Sequence, residues 1–219
     1  MNYERDTRDA YRNETKAEKY RAQYVQGAKW ARFTMWRQKR IIKSVFGQCD
    51  FNAKDQLLDV PCGAGYIGPL LRQLPVNVVA ADISSQMMDL ARQEYGGENF
   101  RGFVQGDLAH APFKSGAFKC VVVLALMHRL PKEVRREVLS SVLRLCSQYA
   151  VISYSVASPM QRLKQKVLTF LSPRYIPAPS ALTYREIADE LDGFDVKSTT
   201  HIVPLLSAKA VFLLQKRAS

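Results

Sequence analysis

The sequence lacks any long apolar run, and this excludes one class of protein at the outset. None of its 219 residues belongs to a stretch of about 18 consecutive apolar residues, the length that a transmembrane helix requires. Residues 1–6 are charged rather than apolar, so no signal peptide is expected. We therefore expect a cytoplasmic protein without a transmembrane segment.

Cysteine is sparse and widely spaced, which argues against two further kinds of structure. The cysteines form no CxxC pair, and no histidine stands near them at the spacing of a metal ligand. We predict free thiols, no disulfide framework and no metal site. The four residues are Cys49, Cys62, Cys120 and Cys146.

Acidic residues are outnumbered, with 20 Asp and Glu against 32 Lys and Arg, so the formal net charge is +12. Such a charge is compatible with nucleic acid, with an anionic membrane or glycolipid, or with an acidic protein, and it does not choose among them. Apolar residues make up 47% of the chain. A chain of this length and composition can bury the core of one domain.

One stretch, residues 57–68, combines a short apolar run, a turn and the start of a helix: LLDVPCGAGYIG. Gly63 and Gly65 allow the backbone to turn sharply and allow a ligand to approach the main chain. The helix that is predicted to begin near Tyr66 would point its free N–H groups at that ligand. The stretch therefore predicts a nucleotide-binding turn.

The alternation of strand and helix continues to about residue 155. It predicts a mostly parallel sheet with helices on both faces and right-handed crossovers. Ligands bind such sheets at the carboxyl ends of the strands, where Asp59, Asp82, Asp107 and the segment containing His128 are expected to converge. Predicted strands after the first cover 77–82, 100–105, 118–124 and 149–154, predicted helices 66–74, 84–96 and 132–145, then a capped helix 183–191 and a closing antiparallel pair at 194–205 and 208–215.

Basic segments flank this core. Residues 1–25 favour a solvated helical arm, and residues 27–46 favour a basic amphipathic helix whose apolar side packs on the core or closes a pocket. A membrane-surface role is the alternative for that helix. We predict an N-terminal arm and cap over 1–50 and one domain over 51–219, with a basic insert at 155–180 as a lid or substrate platform.

The glycine turn leaves two cofactor classes open from the residues alone. Residues 63–68 satisfy GxGxxG and Asp82 follows at nearly the distance of a ribose-binding acid, so an NAD-dependent oxidoreductase is a competitor. Residues 59–62 separate the strand from its first glycine, however, and a pyrophosphate has no use for Asp59. A cationic ligand without phosphate does.

The motifs in residues 58–65, 81–87, 105–113 and 119–124 resemble, in order and spacing, those of the class I S-adenosylmethionine-dependent methyltransferases. The resemblance implies a Rossmann-like doubly wound α/β sheet of seven strands with an antiparallel last strand, and an N-terminal helical extension. It implies S-adenosyl-L-methionine as cofactor and S-adenosyl-L-homocysteine as product. Asp82 would bind both ribose hydroxyls, Asp107 the adenine amino group, and Asp59 the charged end of the methionine part. The other implied cofactor contacts are Pro61, Gly63, Ala64, Gly65, Ile83, Met87, Gly106 and Leu108.

Acceptor residues are expected after the fourth and fifth strands. His128 is a candidate proton acceptor and Tyr154 a candidate lining residue of the methyl channel, with a loop histidine and core packing as the respective alternatives. Further candidate substrate contacts are Tyr24, Trp30, Arg129 and Arg162. The segment after the fourth strand lacks Asn/Asp-Pro-Pro-Tyr, which weakens a base-amino acceptor, and it lacks the carboxylates of a catechol-type metal site.

In size, basic arm and the segment 126–131, the chain is similar to small bacterial methyltransferases that modify a lysine of translation elongation factor Tu. That resemblance implies an acidic protein as partner, a lysine amine as acceptor and no stable complex with nucleic acid. The alternative is a small molecule or an anionic glycolipid as acceptor, with RNA a weaker one. A cofactor-binding module without catalysis is a further class.

Overall fold

The computed structural model describes residues 29–157, 181–204 and 207–218. The predicted arm 1–25 and most of the insert, with Tyr24 and Arg162, lie outside them. The helices are α1 (Lys29–Phe46), α2 (Gly68–Leu71), α3 (Ser85–Ala91), α4 (Lys132–Leu145) and α5 (Tyr184–Glu190). The strands are β1 (Gln56–Asp59), β2 (Asn77–Asp82), β3 (Phe100–Gln105), β4 (Phe118–Val123), β5 (Cys146–Ser155), β6 (Phe194–His201) and β7 (Lys209–Lys216).

One seven-stranded sheet forms the centre, in the order β3-β2-β1-β4-β5-β7-β6. Strands β1 to β5 are parallel, and β7 lies antiparallel between β5 and β6. The predicted fold class is thereby confirmed. Strand order reverses between β1 and β4, so a crevice opens at their carboxyl ends, which is the expected ligand position.

Alternate residues of each strand point to opposite faces, and each face has its own apolar core. Leu58 and Val121 face the layer of α4 and α5, whereas Leu57 and Val122 face the layer of α1, α2 and α3. The central strands are therefore apolar on both sides, as a covered parallel sheet requires.

Several predicted elements differ at their ends. The helix predicted over 66–74 is α only from Gly68 to Leu71. Beyond it the N–H groups of Gln73 and Leu74 bond to carbonyls three residues back, so the chain continues as tighter turns until Pro75. The next helix ends at Ala91 rather than near residue 96.

The orientation of α1 corrects in part the prediction that its apolar side packs on the core or closes a pocket. Only the end of the helix is packed, through Ile41, Ile42, Val45 and Phe46. Its large aromatic side chains lie instead on the outer side, with exposed fractions of 49% for Trp30, 43% for Phe33 and 50% for Trp36. No helix among the described residues is long and apolar enough to cross a membrane.

Candidate cofactor and acceptor site

The turn after β1 is held to its neighbours by main-chain bonds, from Val60 N–H to the Val122 carbonyl and from Cys62 N–H to the Ala81 carbonyl. Gly63 has φ +52°, and a Cβ placed on it would meet only the Met87 methyl carbon, at 3.9 Å. The main chain there is open to a ligand.

Gly65 serves a different purpose in the same turn. Its φ is +80°, and a Cβ on it would stand 2.7 Å from Cβ of Glu94 and 3.1 Å from Cα of Ala91. A Cβ atom essentially never lies 2.7 Å from another side-chain carbon, so a residue without a side chain is required for the close approach of the turn to the end of α3. One glycine therefore exposes the main chain and the other packs it.

Asp82, at the end of β2, is 5% exposed and is tied to the glycine turn. Its Oδ2 accepts the Gly63 N–H at 2.8 Å, and its Oδ1 accepts the Ser84 N–H at 2.9 Å. Burial raises the pKa of this carboxyl, and the backbone hydrogen bonds oppose the rise. The backbone N–H of Ile83 also contributes a hydrogen bond, and the two oxygens together keep acceptor capacity beyond these backbone bonds, which is what two vicinal ribose hydroxyls need.

Asp59 is more deeply placed than the resemblance implied, at 2% exposed on the α1–α3 side of the sheet. The Tyr95 hydroxyl donates a hydrogen bond to its Oδ2. Burial raises the pKa of Asp59 to about 7, the Tyr95 hydrogen bond lowers it and the charge of Asp82 raises it further. Sequence reasoning missed Tyr95, which follows α3 at no recognisable motif position.

The end of β3 carries the third acid. Asp107 Oδ1 accepts the Ala109 N–H at 3.1 Å and caps a 3-10 turn over Leu108–His110. Gly106 N–H donates to the Asp82 carbonyl at 3.0 Å, which fixes the two strand ends side by side. Leu108 is buried and Ile83 half-buried beside them, so the predicted adenine contacts lie at one edge.

These acids make one half of the rim electronegative. Among the described residues, no Lys, Arg or His forms an ion pair with Asp59 or Asp82, and no group of three or more His, Cys, Asp and Glu could hold a metal ion. Buried carboxylates without a cationic partner beside an open glycine turn fit a cofactor that itself carries positive charge. They do not fit a pyrophosphate.

The other half of the rim, after β4, is basic. A 3-10 turn over Met127–Arg129 follows β4, and Lys209 pairs with Ser155 at the carboxyl end of β5. Burial lowers the pKa of His128 to about 4, with a contribution from the charge of Lys209. Burial also lowers the pKa of Arg129 and of Lys209, and the Arg129 charge lowers that of Lys209 further, although the Lys209 side chain keeps an exposed face.

Tyr154 lies in the core, the alternative that the sequence left open. It is 1% exposed, its ring meets Phe212 edge-on at 5.4 Å, and its hydroxyl has no hydrogen-bond partner among the described residues. The buried ion pair of Arg135 and Glu190 adds to the electrostatics around it. Burial raises the pKa of Tyr154. Trp30, another predicted substrate contact, lies on the outer side of α1 and not beside His128 and Arg129.

Comparison with known proteins agrees with this geometry. Residues 57–148 match a family model described as "Methyltransferase domain". Malonyl-[acyl-carrier protein] O-methyltransferase of Serratia marcescens is 29% identical over 80 residues, which is 36% of this chain and only 30% of that protein's length.

Solved structures resemble the whole chain. The magnesium protoporphyrin IX methyltransferase of Synechocystis PCC 6803 with bound SAH has a TM-score of 0.79 at 19% identity, covering 96% of this chain and 98% of its own. The PH0226 protein of Pyrococcus horikoshii has a TM-score of 0.68 at 15% identity, covering 91% and 99%.

The Synechocystis enzyme has also been solved with bound SAM, with a TM-score of 0.75 at 17% identity over 99% of this chain and 98% of its own. The family match and the SAH- and SAM-bound Synechocystis structures agree with the predicted cofactor, S-adenosylmethionine. The resemblance to elongation factor Tu methyltransferases stays a prediction. Residues 57–148 thus match a methyltransferase-domain model, and the sheet that contains them has the same fold as the Synechocystis methyltransferase.

Proposed function

We propose that this protein transfers the methyl group of S-adenosylmethionine to an acceptor that carries a carboxylate or another anionic group. The observation that carries the proposal is the division of one rim into an acidic half beside the glycine turn and a basic half after β4. When bound, the cofactor supplies a methyl group on positively charged sulfur, an electrophile open to in-line attack by a lone pair. Positioning alone contributes about 7–11 kcal/mol to such a step.

On the acidic half, Asp82 would orient the ribose hydroxyls and the open backbone at Gly63 would lie against the methionine part. Asp107 and Leu108 would hold the adenine. These groups bind and orient without proton transfer.

On the basic half, Arg129 and Lys209 would hold the anionic acceptor against the crevice. A carboxylate is ionised at neutral pH and offers its lone pair without a general base. This suits a site in which His128 is neutral and, with a pKa of about 4, is a poor proton acceptor. The Serratia relative is named as an O-methyltransferase, and the Synechocystis neighbour as a magnesium protoporphyrin IX methyltransferase, so neither name is that of a protein-lysine enzyme.

A lysine amine of an acidic protein, such as elongation factor Tu, is the second candidate. The net charge of +12 favours it, because a basic enzyme is steered towards an acidic partner. Positive charge on the rim would also favour the neutral amine that attacks. The lysine acceptor ranks second because no base that could deprotonate the amine is identified among the described rim residues.

Tritium labelling separates the two acceptors. The purified full chain is incubated with methyl-tritiated cofactor and with a lysate divided by ultrafiltration into macromolecules and small molecules, with lipids extracted separately. We expect label in the small-molecule or lipid fraction, and release of that label as volatile methanol on alkali treatment if the acceptor is a carboxylate. Base-stable label in a protein band would overturn the anionic acceptor in favour of lysine.

A matched pair of variants ties the result to the rim. Lys209→Gln should lower labelling about tenfold or more while leaving the affinity for S-adenosylhomocysteine within twofold in calorimetry. Lys197→Gln, which removes an exposed lysine of β6, should change neither. Equal labelling by the two variants would remove Lys209 from the acceptor site.

A further inference from the structure

The outer face of α1 combines exposed aromatic side chains with a surround of basic side chains. We propose that this face docks the protein on an anionic lipid bilayer, with the aromatic side chains at the level of the headgroups. This face, the aromatic ridge, consists of Trp30, Phe33 and Trp36.

The ridge is exposed although its members are the kind of side chain that folding normally buries. Their exposed fractions lie between 43% and 50%, while the packed side of the same helix contributes Ile42 at 0% and Val45 at 1%. The ridge residues recur every three positions and so lie on one side of the helix. Contiguous exposed apolar surface of this kind marks an interaction site.

The charge of the helix selects the partner. Within Lys29–Phe46 there are six Lys and Arg residues and no Asp or Glu, so the segment carries a charge of +6. Lys29, Arg32, Arg40 and Lys43 are exposed beside the ridge. Aromatic side chains with a basic surround are the composition of helices that lie in the interface of an anionic membrane.

The arrangement of the rings favours lipid over nucleic acid. The ring centroids of Trp30 and Phe33 are 5.8 Å apart and those of Phe33 and Trp36 are 6.0 Å apart. Arg40 lies over the Trp36 ring, with its Cζ 5.1 Å from the ring centroid. Each ring therefore has a neighbouring ring or a guanidinium close to it, which restricts the room for a stacked nucleobase.

Two contacts connect α1 to the glycine turn. The Tyr66 hydroxyl, from the residue after Gly65, donates to the Met35 carbonyl of α1 at 2.6 Å, and Lys39 Nζ lies 4.8 Å from the centroid of the Tyr66 ring. These two contacts tie α1, the helix that carries the ridge, directly to the glycine turn.

The two tryptophans of the chain, Trp30 and Trp36, make the test direct because both belong to the ridge. The full chain is mixed with vesicles of phosphatidylcholine alone or with about 30% phosphatidylglycerol, and tryptophan emission and co-sedimentation are measured. We expect a blue shift and co-sedimentation only with the anionic vesicles, and loss of both in 0.5 M salt because the basic side chains are then screened.

Variants locate the contact without removing the probe. Phe33→Ala keeps both tryptophans and should weaken vesicle binding several-fold, and Arg32→Gln with Lys43→Gln should weaken it about fivefold per charge. Arg101→Gln, an exposed arginine of β3, is the matched control and should leave binding unchanged. Thermal melting checks that each variant is folded.

Two outcomes would overturn the proposal. One is the absence of a blue shift and of co-sedimentation with anionic vesicles at low salt, in wild-type protein that melts cooperatively. The other is a stronger emission change with a single-stranded oligonucleotide than with vesicles, which would assign the ridge to nucleic acid.

Discussion

The two halves of the rim differ in the sign of their charge and in how that charge is held. On the acidic half, Asp82 accepts hydrogen bonds from the backbone of the turn it faces, so its position is fixed before a ligand arrives. On the basic half, burial lowers the pKa of His128, Arg129 and Lys209, the charge of Lys209 lowers that of His128 further, and the charge of Arg129 lowers that of Lys209 further. Under the proposed function, the acidic half would bind the cofactor and the basic half would bind the anionic acceptor.

The largest effect is expected from breaking the acidic half at its centre. Asp82→Ala should weaken binding of S-adenosylhomocysteine at least about 100-fold, because it removes the ribose acceptors and frees the Gly63 N–H. Asp82→Asn retains one acceptor oxygen and should lose less. Calorimetry measures both, with Asp89→Ala, an exposed acid of α3, as the control.

An affinity of Asp82→Ala within threefold of the wild type, in protein with a normal melting curve, would contradict this assignment. The contrast between halves would then rest on Asp59 and Asp107 alone.

A smaller effect, on the pH dependence of stability, is expected from the titration of Asp59. Its pKa of about 7 in the folded chain lies above its ordinary value of 3.8, so between these two values the folded state holds a proton that the unfolded state has released. The stabilising contribution is therefore complete below about pH 4 and is lost as pH rises through 7. From pH 5 to about 7 the loss is at most about 3 kcal/mol, at 1.36 kcal/mol per pH unit.

Asp59→Asn removes this titration, and so the variant should gain stability relative to the wild type between pH 5 and pH 8. Urea unfolding of the cofactor-free protein at both pH values measures the difference. Parallel pH profiles for the two proteins would show that Asp59 is ionised in the folded chain.

The smallest effect is expected from His128 at neutral pH. Its pKa is lowered from 6.5 to about 4, so the stability it contributes is present above pH 6.5 and is lost as pH falls through 4. Above pH 6.5 the His128 ring is neutral in both the folded and the unfolded chain, as Gln is, so His128→Gln should leave stability between pH 7 and pH 8 nearly unchanged and should remove the loss of stability at lower pH. NMR titration of the three histidine rings measures the pKa directly, and a value of 6.5 or higher for His128 would show that the basic half is more solvated than described.

Local pattern was enough to predict the acidic half. The bounds of β2 and β3 match the prediction, and Ser84 caps α3 by accepting the Met87 N–H, because strand periodicity and capping are properties of neighbouring residues. The three acids lie at strand ends for the same reason. What the pattern lacked was Tyr95, whose contact with Asp59 spans 36 positions of the chain.

His128 and Arg129 were predicted after the fourth strand, whereas Lys209 and the exposed side of α1 escaped prediction because they depend on the tertiary arrangement. Lys209 reaches the rim only because β7 inserts between β5 and β6, and nothing in its own sequence states that order. The alternation of apolar and basic residues in α1 was recognised, but which side is packed depends on the surface that Ile42 and Phe46 meet. Helical periodicity gives a face and does not say what covers it.

The insertion of β7 also has a consequence for the order in which the molecule is made. Strands β1 to β3 and the glycine turn leave the ribosome early and pair among themselves, whereas β5 keeps an open edge until residues 209–216 arrive and its Ile152 pairs with Phe212. During that interval a long apolar strand edge is available for wrong pairing. The nascent chain therefore forms the framework of the acidic half first, and the late strand β7 then completes the basic half and covers the exposed strand edge at the same time.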